Sequence, residues 1–136
     1  IRYVKRSLEP LKDIGVKIIW HSDGNIMPIA RHLLDAGIDG FQGLQEKTGT
    51  RIDIEKLASM ETLAGRHPII IGSVSSVTTM PFGTPDEVRA EVRRCQALAR
   101  TRGGGWLLNF SSSLGLEVPS ANIQAFYEQA SNRVHV

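Results

Sequence analysis

Apolar and polar positions fall into one unit that recurs four times: a helical stripe, a glycine, a short apolar run and a polar end to that run. Ile1, Val4, Leu8, Leu11 and Ile14 recur at helical spacing, and Gly15 stands where a helix end favours a left-handed residue. Residues 16–20, apolar apart from Lys17, come next and lead into His21-Ser22-Asp23. The next stripe, Ile26, Ile29, Ala30, Leu33 and Leu34, ends at Gly37, with Pro28 placed in a first turn that tolerates it. A second, weaker run covers 38–44 and ends at Gln45-Glu46. Asp53 then reads as the cap of a helix carrying Ile54, Leu57, Ala58 and Leu63, closed by Gly65.

The third run, 68–71, opens into Gly72-Ser73-Val74-Ser75-Ser76 and then a long connection. Thr84-Pro85-Asp86-Glu87 has the form of a capping box, with threonine as cap, proline first and glutamate third. Its helix is expected to run to about Arg102 and to stop at Gly103-Gly104-Gly105. The fourth run, 106–110, leads to Ser111-Ser112-Ser113, and a last helix carries Ile123, Phe126, Tyr127 and Ala130. Short apolar runs alternating with helices predict an α/β fold with parallel strands at about 16–21, 38–44, 68–73 and 106–111, because a parallel pair needs a helix-length crossover. The whole of 1–136 reads as one domain of four parallel β/α units behind one extra helix. A doubly wound sheet and half of an eight-stranded barrel both fit this periodicity.

The polar residues gather at the carboxyl ends of the strands: His21 and Asp23, Gln42 and Gln45, Ser73 and Ser75, Asn109 and Ser112. In either parallel architecture those ends share one face, which is where ligands bind. A single polar residue there merely marks the entry to a loop, but four coincident cases point to a site. His21 and Asp23 are two residues apart and so share a side of the strand. Such a pair can share a proton, hold a substrate polar group or contribute to a metal site; a buried histidine satisfied by its neighbour is the structural alternative. Other groups are less telling. Cys95 lies on the apolar stripe of its helix as a core thiol, and His32, His67 and His135 have no evident companions.

Composition narrows the classes. With 41% hydrophobic and 22% charged residues the chain is an ordinary globular domain. Its net charge of +2 argues against a nucleic-acid partner, and the arginines of 89–102 read as the wet face of a helix. One cysteine allows no internal disulfide, which fits a reducing, cytoplasmic setting. No apolar run reaches the roughly 18 residues of a membrane span. Without an initiator methionine, and with a helix at its first residue, the chain is expected to open inside a longer protein.

Four segments carry a resemblance: 17–45 (KIIWHSDGNIMPIARHLLDAGIDGFQGLQ), 67–74 (HPIIIGSV), 82–94 (FGTPDEVRAEVRR) and 103–126 (GGGWLLNFSSSLGLEVPSANIQAF). In content and order they resemble the uroporphyrinogen decarboxylase superfamily, which holds tetrapyrrole decarboxylases and corrinoid-dependent methyltransferases. The resemblance implies the C-terminal half of a (β/α)8 barrel, strands five to eight, with the decarboxylases' substrate-gripping aspartate and arginines in the other half. The methyltransferases have His-x-Cys-Gly where this chain has His21-Ser22-Asp23-Gly24, and a second zinc-binding cysteine near Ser112. The decarboxylases end strand eight in Asn-Leu-Gly-His-Gly, against Asn109-Phe110-Ser111-Ser112-Ser113 here. The resemblance therefore implies a divergent member or fragment, with His21 and Asp23 catalytic and Gln42, Gln45, Ser73, Ser75, Asn109 and Ser112 binding a tetrapyrrole-like or anionic small molecule. No cofactor or bound metal is expected, and the lone half-barrel is expected to be inactive and to pair as a homodimer. The alternative is a non-catalytic half-barrel that serves binding or assembly.

Overall fold

The computed structural model describes residues 1–47, 49, 51–102 and 105–132. Gly103, Gly104 and His135, where a helix stop and an isolated histidine are expected, lie outside the described residues. Four strands, β1 (Ile19–His21), β2 (Gly40–Gln42), β3 (Ile69–Ile71) and β4 (Trp106–Leu107), form one parallel sheet in the order β1-β2-β3-β4. Among the described residues six helices accompany them: α1 (Arg2–Asp13), α2 (Ala30–Ala36), α3 (Ile54–Ser59), α4 (Thr79–Phe82), α5 (Pro85–Thr101) and α6 (Ser120–Ser131). Sequential parallel order with a helix in every crossover is the arrangement of half a (β/α)8 barrel. The register places Ile19, Gly40 and Ile69 side by side, and His21, Gln42 and Ile71 one pleat further on.

The helices cover one face of the sheet. Trp20, Phe41 and Ile70 point into a core with Leu33, Leu34, Ile54 and Leu57 from α2 and α3. Each fully buried side chain of this kind is worth about 1.5–3 kcal/mol. A second core joins Val74, Met80, Val88, Val92 and Cys95 to Ala125 and Phe126 of α6, with Leu108 and Phe110 packed against it. Asn122, 1% exposed, donates from its amide nitrogen to the Met80 and Gly83 carbonyls at 2.8 Å each, tying α6 to the turn before α5. By pleat alternation the neighbours of the core residues, namely Ile19, His21, Gln42, Ile69, Ile71, Leu107 and Asn109, point to the other face. No helix among the described residues covers that side, and Leu107 is 55% exposed there.

The elements are where the periodicity places them, with shorter bounds. Each strand lies inside its expected span. The capping box at Thr84 and Glu87 is present, with both reciprocal hydrogen bonds, and Asp53 accepts from the Lys56 N–H at 2.8 Å as cap of α3. The second helix starts at Ala30, so Pro28 precedes it, and it ends at Gly37 in the left-handed region (φ 101°). α3 stops at Ser59, well short of Gly65, because the Thr62 N–H turns to the Arg66 carbonyl (2.8 Å) and leaves Leu63 60% exposed. Tyr127 is likewise exposed, and Asn122, Ala125, Phe126 and Gln129 form the buried stripe of α6. The long connection before Thr84 holds the short α4. α1 has an apolar stripe as expected, yet buries none of its residues. No helix among the described residues is long and apolar enough to cross a membrane.

Candidate functional site

The polar residues at the strand ends divide between the two faces of the sheet. On the open face, His21 ends β1 and Gln42 ends β2 at the paired position. The His21 Nδ1 is hydrogen-bonded to the Gln42 Oε1. With that carbonyl oxygen as acceptor, Nδ1 carries the proton and Nε2 is the free ring nitrogen. Nε2 lies 3.8 Å from the Asp23 Oδ2, too far for a direct hydrogen bond, and both side chains are about half exposed (52% and 53%). Gly43 makes this approach possible. Its φ is 90°, and a Cβ there would stand 2.7 Å from the Ser22 carbonyl oxygen and 3.0 Å from the His21 Cε1. Asn109 is exposed at the end of β4, where its side-chain oxygen accepts from the Phe110 N–H at 2.8 Å. Ser112 lies just beyond, partly buried.

On the helix side, a second group forms a polar network. Gln45, 4% exposed, accepts from the Ser111 hydroxyl at 2.8 Å and donates to the Ser76 hydroxyl at 3.3 Å. Ser111 also accepts from the Ser76 N–H at 3.0 Å. Ser73, 2% exposed, donates to Glu46 at 3.1 Å, and Glu46 is ion-paired with Arg94. Burial pulls the Arg94 pKa down, but the hydrogen bond and charge of Glu46 outweigh it and hold the guanidinium above its ordinary value. Lys47 donates to Thr79 at 2.7 Å and Glu91 at 2.8 Å, and the other Glu91 oxygen accepts from the Ser75 N–H at 3.2 Å. The Ser75 hydroxyl bonds Thr78 at 2.7 Å. Gln45, Glu46 and Lys47, three consecutive residues, thus fasten the end of β2 to the segment after β4, to α5 and to the loop after β3.

Of the expected site residues, then, His21, Asp23 and Gln42 meet on the open face, with Asn109 on the same face two strands further along. Gln45, Ser73 and Ser75 are buried on the other side and bonded to protein groups. Sequence reading missed Gly43, Glu46, Lys47, Glu91, Arg94 and Ser111. One signal was legible: Glu91 interrupts the apolar stripe Val88, Val92, Cys95 of α5, and a carboxylate inside such a stripe needs a buried partner. Arg94, its side chain 39% exposed, is correspondingly tied to Glu46 at the edge of the helix face and does not stand free in solvent. Cys95 is a core thiol, fully buried, and burial raises its pKa. His67 bonds the Met60 carbonyl through Nδ1 at 3.1 Å.

The family described as uroporphyrinogen decarboxylase (URO-D) matches residues 1–133. Among solved structures, a methyltransferase from Methanosarcina mazei matches with a TM-score of 0.64 and 22% sequence identity, over 93% of this chain and 33% of that one. At that identity the likeness is one of fold. The chain spans about one third of the length of that structure. No curated protein matches the chain.

Proposed function

The chain belongs to the uroporphyrinogen decarboxylase family, and we propose that its open sheet face is one wall of a decarboxylase-type substrate pocket, with His21 and Asp23 as the proton-handling pair. The observation that carries this reading is the arrangement around the His21 ring. Gln42 fixes its orientation through Nδ1, and Nε2 faces a 3.8 Å gap to Asp23. In decarboxylation of a carboxymethyl group the bond to the carboxyl carbon breaks, CO2 leaves, and the electron pair remains on the side-chain carbon. A proton must then reach that carbon. Protonated His21 would deliver it from Nε2, and Asp23 would stabilise the imidazolium before the transfer. Asn109 and Ser112 would contact the substrate body further along the wall.

Methyl transfer through a zinc-held thiol fits these residues less well. Tetrahedral zinc takes about four donors, mostly cysteine sulfur and histidine nitrogen. His21 and Asp23 supply two, the matching positions carry Asp23 and Ser112, and among the described residues no group of three His, Cys, Asp or Glu stands close enough to hold a metal. The pocket wall also carries no lysine or arginine among its described residues. A polycarboxylate substrate therefore needs cations from another part of the enclosing barrel, and the 136-residue chain alone is expected to be inactive. Gln45, Ser73 and Ser75 are better suited to fixing the strand ends than to touching substrate.

Fluorescence titration with uroporphyrin tests the wall. Weak saturable binding is expected, loosened about threefold or more by His21→Ala and by Gln42→Leu. Binding that both variants leave unchanged would refute the assignment. An anaerobic assay with uroporphyrinogen should show background rates, and turnover abolished by His21→Ala would contradict inactivity. A second reading, an assembly surface, draws on the unpaired outer edges of β1 and β4 and on exposed Leu107. Exposed edges and apolar faces invite pairing. Light scattering should then give a dimer mass that Leu107→Lys halves; a monomer before substitution removes this reading.

A further inference from the structure

At the opposite end of the sheet from His21, the residues leading into the strands border a crevice of about 430 Å3, lined by Lys17, Asp39, Glu61, Arg66 and Arg102 among others. Its charges are unequal, three cations against two carboxylates. Lys17 and Asp39 satisfy each other at 3.0 Å, and the second Asp39 oxygen accepts from the Ile18 N–H at 3.0 Å. Arg66 and Arg102 take part in no ion pair among the described residues.

Arg102 is the unusual group. It donates from Nη2 to the Pro68 carbonyl at 2.7 Å, and its guanidinium lies 5.8 Å from the centre of the Trp106 ring. Its Nε and Nη1 are shielded from water and have no hydrogen-bond partner among the described residues. Buried N–H donors are almost always paired, because losing water without gaining a partner costs free energy. Burial also lowers the pKa of this guanidinium, which an adjacent anion would reverse. A planar cation with two donors unused among the described residues, lining one crevice with an arginine in no ion pair there, has the chemistry of an oxyanion receptor.

We propose that this crevice binds a small oxyanion, a carboxylate or phosphate group of a small molecule, through Arg102 with Arg66 as second cation. The site lies at the other end of the strands from the open-face pocket and does not depend on the function proposed for it. Because Nε and Nη1 lie below the surface, binding requires the Arg102 side chain to rotate toward the crevice, exchanging the Pro68 and Trp106 contacts for the anion.

The test is a nuclear magnetic resonance titration of the labelled 136-residue chain with inorganic phosphate and, separately, acetate, at ionic strength held constant with chloride. A saturable shift of the Arg102 Nε–H and of neighbouring amides such as Ile69 is expected with at least one of them. Saturation by one alone identifies the group; saturation by both assigns a general oxyanion site. Arg102→Lys, which keeps the charge and loses the fork, should weaken binding about tenfold. Arg66→Gln, on an exposed side chain whose loss leaves the fold intact, should weaken it about threefold. The proposal is overturned if neither anion saturates, if both variants bind as the parent does, or if the shifts centre on His21 and Asn109.

Discussion

Replacing Gly40 with alanine should both destabilise the fold and disturb the candidate site two residues further on. Gly40 sits between Ile19 of β1 and Ile69 of β3. A Cβ there would stand 2.4 Å from the Ile69 carbonyl oxygen, 2.7 Å from its Cβ and 2.8 Å from the Ile19 Cδ1. The Ile19 methyl can turn aside, but the Ile69 oxygen is backbone in a paired strand. Relief therefore requires β2 and β3 to part by about 1 Å, a gap that forfeits a quarter to a half of the contact energy along the seam. Overpacking of this kind costs about 1–3 kcal/mol, here toward the upper end. Restricting the unfolded chain returns about 0.4–1 kcal/mol. The net loss should be about 2 kcal/mol, or about 1 M in urea midpoint at a slope of ~2 kcal/mol/M. The His21 ring signals should move as well, since Gln42 shares the displaced strand. Ile19→Val in the same background should recover only a minor part of the loss. A midpoint change equivalent to less than ~0.5 kcal/mol would refute the packing described between β2 and β3.

Three further outcomes rest on local features. Asp53→Ala, which removes the cap of α3, should cost about 1 kcal/mol in urea unfolding, and Asp53→Asn should recover most of it. Hydrogen bonds from the backbone and then the side chain of Thr84 hold the Glu87 carboxyl below its ordinary range. Its contribution is therefore complete above the unfolded carboxylate pKa and is lost as pH falls through the lower folded value; the urea midpoints of the parent and Glu87→Gln should converge in acid, and a constant gap would contradict the cap. The Cys95 thiol, buried and raised in pKa by that burial, should react with a disulfide reagent orders of magnitude more slowly in the folded chain than in urea; equal rates would place it at the surface.

Periodicity made the four β/α units legible, because burial on the helix side leaves a direct mark in sequence: Leu33, Leu34, Phe41 and Ile70 read as core and are core. Caps were equally legible, since Asp53 and Thr84 each act on a backbone N–H three residues on. The division of the strand ends between two faces was not. Gln42 and Gln45 look alike along the chain, yet the intervening turn at Gly43 leaves one on the open face and buries the other against Ser76 and Ser111. The partners of Gln45 lie 31 and 66 positions away, beyond anything a local pattern records. α1 shows the converse, a clear apolar stripe with no residue fully buried and Leu8 packed against the edge of the core, because periodicity reports the capacity for burial and not how much cover a neighbour supplies.

The clasp formed by Gln45, Glu46 and Lys47 has a kinetic consequence. Its bonds span 27 to 66 positions, so none can close until the sheet beyond β2 and the helix α5 have begun to assemble. Contacts of such sequence separation form late in folding, after the loop entropy of everything between has been lost. The end of β2 that carries Gln42 should accordingly be among the last parts of the molecule to become rigid. It should also be among the first to loosen under denaturant. In hydrogen exchange, the amides around Ser75 and Ser76 would then open in a step below global unfolding, while Phe41 and Ile70 exchange only with it. The proposed pocket wall would thus have the weakest hold on its shape of any part of the sheet.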